Sequence, residues 1–180
     1  MVYAASAIAS LRIRSGGQTG VDRAALDAAL MTGLAYEGWC PKGGLAEDLA
    51  SPPGLLKKYP CLKETPSPFP EQRTEWNVRD GDSTVVLVPH VQFYSKGTAF
   101  TIECAKKYGK TCTVIHYLYD GAAAQLKDII SALKENASLN IAGPRESEHP
   151  GAYDLCLPLL AGAFAGGRRQ ISAPRATNGI

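Results

Sequence analysis

The segment LRIRSGGQTGVDRAALDAALMT, from Leu11 to Thr32, places a short apolar run, a glycine-rich turn and a run of small residues in immediate succession. The first four residues predict a short strand, and the residues after Gly20 predict a helix from about Val21 to Thr32. In an open parallel sheet, such a turn lies at the carboxyl end of a strand, which is the edge where ligands bind. The segment therefore predicts an α/β fold and a candidate site together.

Strand and helix patterns alternate along the rest of the chain. Further strands are predicted over residues 34–38, 83–88, 111–118 and 138–142, and further helices over residues 98–108 and after Asp120, the expected N-cap. The run STVVLV, at residues 83–88, is continuously apolar, as in a strand that is buried on both faces. We therefore predict the α/β class, with a single Rossmann-like domain whose mainly parallel sheet carries helices on both faces.

Residues 40–79 interrupt this alternation, because they show little periodicity and hold seven of the twelve prolines. Loops longer than about 12–15 residues are uncommon in compact domains unless they are functional or disordered. Since Trp39 and Trp76 lie at this segment, we predict an ordered, Pro-rich insert that covers a site within one domain spanning residues 1–180. The chain from about residue 167 is predicted to be a loosely held tail.

The composition is that of an ordinary soluble protein, with 45% hydrophobic residues, 20% charged residues and a net charge of +2. Lysines and arginines are not massed as nucleic-acid binding requires. No run approaches the ~18 apolar residues of a membrane helix, and the first residues lack the positive region of a signal peptide. We expect a cytoplasmic homo-oligomer with a small-molecule partner and with neither nucleic-acid nor membrane partners.

Metal-binding side chains are scattered rather than grouped. The chain holds five cysteines and three histidines, namely Cys40, Cys61, Cys104, Cys112, Cys156, His90, His116 and His149. The cysteines form no CxxC pair and the histidines lack metal-ligand spacing. We expect buried free thiols and no metal site.

The glycine-rich turn is the first candidate binding element, since backbone N–H groups at a helix N-terminus can hold an anion. Its candidate residues are Gly16, Gly17, Gln18, Thr19, Gly20 and Asp22. The turn matches neither a Walker A loop nor the GxGxxG fingerprint. In the alternative interpretation, Thr19 and Asp22 form a capping box and the glycines are purely conformational. The two interpretations are compatible.

Two further turns are predicted at the same edge of the sheet. Gly97 and Thr98 begin the helix that follows the buried strand, and AGPRESEHPG follows the last strand. The candidates in this third turn are Gly143, Pro144, Arg145 and Glu146. Arg145 can hold a phosphate or carboxylate through two hydrogen bonds, or it can be a surface residue. Three polar, glycine-bearing turns at one edge favour a pocket for an anionic ligand.

The insert contributes four more candidates: Lys42, Arg73, Trp76 and Asn77. Arg73 and Asn77 can project into the pocket, and Trp76 can stack on a planar ring. In the alternative, the segment is a polar helix whose Trp76 packs on the core. Lys42 is equally compatible with a phosphate contact and with an exposed turn.

Six motifs between Ser15 and about Asp154 resemble the putative molybdenum carrier family: SGGQTGVDRAALDAA, GWCPKGG…AED, YPCLKETPS, RTEWNVRDGDSTVVLV, GTAFTIECAKKYGK and LNIAGPRES…PGAYD. The resemblance implies a Rossmann-like sheet in a superfamily that includes the lysine-decarboxylase-like phosphoribohydrolases, which activate cytokinins. It also implies a molybdenum cofactor (molybdopterin) ligand, a phosphorylated pterin whose dithiolene binds an oxo-metal. The implied function is a binding or carrier protein for a phosphorylated heterocycle.

The phosphoribohydrolases imply an enzyme as the alternative, with Arg73 and Glu103 hydrolysing a nucleotide N-glycosidic bond. Their pattern has an arginine, then an aspartate before a strand that ends in PGGxGTxxE. Arg73 and Asp82 fit its first part, but a longer insertion follows Pro89 and puts Glu103 two positions late. Glu103 can instead form an i,i+4 ion pair with Lys107. A third alternative is a nucleotide-sensing regulatory protein, so whether the chain is an enzyme stays open.

Overall fold

The computed structural model describes residues 10–165, and within them seven strands and five α-helices follow one another. The strands are β1 (Arg12–Arg14), β2 (Ala35–Glu37), β3 (Trp39–Cys40), β4 (Lys63–Glu64), β5 (Ser83–Val88), β6 (Thr111–His116) and β7 (Ser138–Ala142). The helices are α1 (Val21–Thr32), α2 (Pro70–Asp80), α3 (Lys96–Lys107), α4 (Ala122–Ser131) and α5 (Ala152–Phe164), and short 3₁₀ turns span Lys42–Gly44 and Gly54–Lys57.

The main sheet is parallel throughout, with the strand order β2-β1-β7-β5-β6, and β3 and β4 form a separate parallel pair. The connections from β1 to β2 and from β5 to β6 leave in opposite directions. Right-handed crossovers therefore place α1 and α3 on opposite faces of the sheet. α1 packs on α5 and α5 on α4, while α2 packs on α3. The predicted Rossmann-like α/β fold is confirmed.

The bounds of α1, β5 and β7 agree with the sequence prediction, and every residue of β5 is buried. Helix α3 begins at Lys96, two residues before the predicted start, because the Ser95 hydroxyl caps it by accepting from the Thr98 N–H at 3.1 Å. The prediction that Asp120 caps α4 is wrong, since Gly121 occupies the N-cap with a φ of 90°.

Helix α5 has no counterpart in the sequence prediction. Pro158 lies inside it, and proline removes a backbone hydrogen bond from a helix interior. The helix is stabilised at its start by the Glu146 carboxylate, which accepts from the N–H groups of Gly151 and Tyr153 at 2.8 and 2.6 Å. Its buried side chains, such as Leu160, join the core between α1 and the sheet.

The insert over residues 40–79 carries β3, β4, both 3₁₀ turns and α2. It has a small core of its own, in which Leu55, Tyr59 and Leu62 pack with Leu26 of α1. Its assignment as an insert within a single domain stays a prediction. The tail predicted from about residue 167 lies outside the described residues.

Asp27 joins α1 to the insert and to α5. Its carboxylate accepts from Tyr59 and Tyr153, each at 2.8 Å, and from Lys58 Nζ at 3.0 Å. Burial opposes ionisation, but these three hydrogen bonds outweigh it and hold the pKa of Asp27 below 3.8. Burial and the contact with Asp27 together raise the pKa of Tyr153 to about 12, so that the phenol stays a donor at neutral pH.

Replacement of Asp27 by Asn is expected to lower the free energy of unfolding at pH 7 by about 1–3 kcal/mol, because Tyr59, Tyr153 and Lys58 lose their ionised acceptor. A lowered folded pKa stabilises the protein above pH 3.8, and this stabilisation is lost as the pH falls further. The difference between wild type and Asp27→Asn should therefore shrink below about pH 3.8 in urea unfolding experiments. The exposed Asp128→Asn is the control, and a gap that is independent of pH would contradict the interpretation.

Candidate functional site

A cleft lies at the carboxyl edge of the main sheet, where the turns after β1, β5 and β7 meet. These turns are neighbours because β7 lies between β1 and β5. The cleft is shallow, with a cavity volume of about 40 Å³, and opens to solvent. Its lining includes Gln18, Asp22, Arg73, Gly97, Gly143 and Arg145, all of them candidates from the sequence. The edge where the chain connections diverge is the usual ligand site of open parallel sheets.

A buried ion pair closes the inner end of this cleft. Arg73 Nη1 of α2 donates to Asp22 Oδ2, in the first turn of α1, at 3.0 Å. The side chains are only 14% and 4% exposed, respectively. Burial raises the pKa of the Asp22 carboxyl above its usual range, and the attraction of Arg73 offsets only part of this effect. The pair joins helices from opposite faces of the sheet.

Arg73 keeps an unused donor in this arrangement. Its Nε is buried and has no hydrogen-bond partner within residues 10–165. An unsatisfied buried donor costs about 1–3 kcal/mol, and more on a charged group. An oxygen that enters the cleft would remove that cost only by accepting from Nε itself.

Gly16 is required by the close approach of Arg73. A Cβ atom built on Gly16 would lie 2.1 Å from Arg73 Nη1 and 2.7 Å from Cζ. Any side chain at this position would push the guanidinium away from Asp22. The first glycine of the turn thus makes room for a cation.

Gly20 allows two backbone segments to approach each other closely. It is the N-cap of α1, has a φ of 72°, and a Cβ there would lie 2.4 Å from the Pro144 carbonyl oxygen. That carbonyl accepts from the Val21 N–H at 3.1 Å, so part of the helix N-terminus is occupied by the turn after β7. The predicted Thr19–Asp22 capping box does not form, because Gly20 takes the N-cap position and Asp22 pairs with Arg73.

The other polar residues of the turns after β1 and β7 form hydrogen bonds with each other and with Glu47 of the insert. Thr19 donates to Glu47 and accepts from the Glu146 N–H at 3.1 Å. Gln18 Oε1 accepts from the backbone N–H groups of Thr19 and Glu47 at 3.0 and 2.9 Å. Gly17 lies in the same turn, with a φ of 71°. These contacts fix the turns around the mouth of the cleft.

Arg145 remains available at this mouth. Its side chain is 38% exposed, and its nearest acids are Glu148 at 3.7 Å and Glu47 at 4.0 Å. Both distances exceed those of a direct hydrogen bond. Glu146, by contrast, is engaged in capping α5. The cleft therefore carries one buried cation and one partly exposed cation.

Two residues of α2 have structural partners instead of facing open space. Asn77 accepts from the Trp39 N–H at 2.8 Å and donates to the Trp39 carbonyl at 2.9 Å, which ties α2 to β3. The half-buried Trp76 ring stands edge-on to Trp39, with centroids 4.8 Å apart, and the Arg79 guanidinium lies 4.7 Å from it. Asn77 still borders the inner end of the cleft, whereas Trp76 does not line it.

Glu103 and Lys42 lie apart from the cleft lining. Glu103 is exposed on α3, and Arg73 is not brought together with it. The expected Glu103–Lys107 ion pair is replaced by one between Lys107 and Glu75 at 2.5 Å. Lys42 is exposed in the first 3₁₀ turn.

Several residues of the site were missed from the sequence. Thr98 was predicted and lies buried at the start of α3, outside the cleft lining, whereas the unpredicted residues Thr74, Thr101 and Glu148 line the cleft. Thr101 follows Gly97 by one helical turn and Thr74 is the neighbour of Arg73, so helical spacing was the available signal. Nothing in the local sequence marks Glu148.

The described residues include no group of three or more His, Cys, Asp or Glu side chains that could hold a metal ion. All five cysteines are free, with Cys40, Cys104 and Cys156 buried and Cys61 exposed. Between residues 10 and 165, no helix is long and apolar enough to cross a membrane. The donors of the cleft are therefore guanidinium, hydroxyl, amide and backbone groups.

The strand order and this cleft define a Rossmann-like α/β protein with a site at the carboxyl edge. The sequence profile of the circularly permutated YpsA SLOG family matches residues 13–163, and the chain belongs to this family. A crystal structure of a putative molybdenum carrier protein from Syntrophus aciditrophicus SB is 35% identical, with a TM-score of 0.69. The match covers 88% of this chain and 96% of that one. The resemblance to molybdenum carriers is confirmed. No curated protein matches the chain.

Replacement of Gly20 by Ala is expected to lower the free energy of unfolding by more than about 1 kcal/mol, because the new Cβ meets backbone atoms at a positive φ. Gly162→Ala in α5 is the control, since no atom lies within 4 Å of its Cβ position. That control should raise stability by about 0.4–1 kcal/mol. Equal effects in urea denaturation would contradict the packing described for the turn.

Proposed function

We propose that the protein binds a phosphorylated heterocycle of the molybdenum cofactor type in the cleft and releases it unchanged. The single observation that carries this proposal is the buried Arg73. Its guanidinium donates to Asp22, packs against Gly16 and has an Nε without a hydrogen-bond partner among the described residues. A buried arginine with a fixed orientation is suited to phosphate or oxyanion groups, which accept parallel hydrogen bonds from its planar donors.

The other cleft residues support an anionic ligand. Arg145 stands at the mouth, so a ligand entering from solvent meets a partly exposed cation first and the buried one second. Gly97 lines the cleft without a side chain and has no atom within 4 Å of its Cβ position, which allows an anion to approach the backbone. The acids Asp22 and Glu148 are each close to one of the arginines.

The ligand class is supported by the Syntrophus aciditrophicus neighbour, which is named a putative molybdenum carrier protein. The cleft suits the phosphate and oxo groups of such a cargo. Thiolate and imidazole groups are missing from its lining among the described residues. A metal carried here would therefore keep the ligands supplied by its own cofactor, with Arg73 and Arg145 holding the anionic groups.

Binding is favoured over hydrolysis by the position of Glu103. An N-glycosidase needs an acid beside the ribose to assist bond cleavage. Glu103 is exposed on α3 and does not line the cleft, and Asp22 is bonded to Arg73. Incubation with a nucleoside monophosphate is expected to release no free base. The expected homo-oligomeric state and cytoplasmic location stay predictions.

The test is the affinity for ribose 5-phosphate and inorganic phosphate, measured by isothermal titration calorimetry. Arg73→Lys keeps a positive charge but lacks the planar set of donors, so both ligands should bind about 10- to 100-fold more weakly. Arg79→Ala removes an arginine that pairs with Asp80 outside the cleft and should bind as wild type does. Equal affinities of wild type and Arg73→Lys would contradict the proposed function.

Gly16→Ala tests the same site without removing the arginine. The new methyl group would lie 2.1 Å from Arg73 Nη1, so the guanidinium must move away from Asp22 and from its place in the cleft. We expect phosphate affinity to fall as it does in Arg73→Lys. Gly162→Ala in α5, whose Cβ meets no atom within 4 Å and which lies outside the cleft lining, is the matched control. Unchanged binding in Gly16→Ala would show that the orientation of Arg73 is unimportant.

A further inference from the structure

Aromatic rings gather beside the cleft on the segment that joins β5 to α3. Phe93 lies between two imidazoles, with centroid distances of 6.3 Å to His90 and 6.1 Å to His149. Both imidazoles stand nearly perpendicular to it, at 89° and 84°, in edge-to-face arrangements. Tyr117 supports this group, because its hydroxyl lies 3.0 Å from His149 Nδ1.

None of these rings is part of the cleft lining, but the chain connects the group closely to residues that are. Phe93 precedes Gly97 of the cleft lining, and His149 follows Glu148, which also lines it. His90 comes directly after Pro89, where β5 ends at the carboxyl edge of the sheet.

Two features of this segment indicate incomplete contacts. His90 Nδ1 is buried and has no hydrogen-bond partner in the described part of the chain. On either side of Phe93, Val91 and Tyr94 are 62% and 74% exposed. An imidazole nitrogen without a partner and apolar side chains in water both gain from a planar, polar-edged molecule placed against them.

We propose that Phe93 is the stacking surface for the planar heteroaromatic ring of the ligand, flanked by His90 and His149. This inference rests on the proposed function, since Arg73 would hold the phosphate of the same molecule. Trp76, the ring expected from the sequence, packs edge-on against Trp39 and lies against the Arg79 guanidinium. Phe93 belongs to the loop after β5, whereas Arg73 lies on α2, before β5. The phosphate and the ring of the ligand would therefore be bound by different segments of the chain.

The experiment compares guanosine 5′-monophosphate with ribose 5-phosphate, because the two share the sugar phosphate and differ by a planar ring. Calorimetric dissociation constants are measured for wild type, Phe93→Ala and Phe93→Leu. Base stacking on an aromatic side chain predicts that wild type prefers the nucleotide roughly 5- to 100-fold. Phe93→Ala should lose this preference and keep the affinity for ribose 5-phosphate. Phe69→Ala, which removes a 69% exposed ring on the insert, is the control.

Phe93→Leu preserves apolar volume and decides the question if Phe93→Ala proves unfolded by circular dichroism. Two results would overturn the stacking assignment and leave the proposed phosphate site intact. In the first, a folded Phe93 variant keeps the preference for guanosine 5′-monophosphate over ribose 5-phosphate. In the second, wild type binds ribose 5-phosphate but lacks this preference. Failure of wild type to bind either compound or inorganic phosphate would contradict the proposed function itself, and the stacking assignment with it.

Discussion

The ion pair between Asp22 and Arg73 is the contact on which the architecture of the site depends. It joins the first turn of α1 to α2 across the carboxyl edge of the sheet, over a separation of 51 residues. Buried ion pairs are weak sources of stability, because desolvation offsets most of their attraction. The raised pKa of Asp22 reflects that cost. A pair kept at such a cost beside a cleft is more readily understood as the means of holding one guanidinium in place.

The strand order explains why three separate turns can act together. β7 comes last in the chain but lies between β1 and β5, so the turns after these strands are neighbours. The contact between Val21 and Pro144 locks two of them, and it occupies an N–H that a simple helix N-terminal anion site would have offered. The cleft therefore depends more on arginine side chains than on the helix N-terminus alone.

Much of the fold was predictable because its signals are local. Three signals each determine an element over a few residues: the glycine-rich turn, the small residues of α1 and the continuous apolar run of β5. Helix α5 was missed because Pro158 interrupts its pattern and its capping carboxylate, Glu146, lies outside it. The elements of the insert were not predicted, because its packing on Asp27 depends on partners about 30 residues away.

The site was only partly predictable, for a related reason. The glycines and Arg73 stood out from the sequence, whereas their relation did not, since nothing local indicates that Gly16 makes room for Arg73. Asn77 looked like a ligand group and instead binds the backbone of Trp39. The grouping of Phe93 with His149, 56 positions apart in the chain, follows from the sheet topology alone.

The central claim, that the cleft holds a phosphorylated heterocycle through Arg73, is tested most directly by native mass spectrometry of the protein as it is purified. Elemental analysis of the same sample for molybdenum and tungsten identifies any metal that accompanies the ligand. The wild-type protein should carry a noncovalent adduct with the mass of a phosphorylated heterocycle, and the Arg73→Lys variant should lack it. A bare wild-type mass, together with no thermal stabilisation by phosphate, nucleotides or pterins, would contradict the claim.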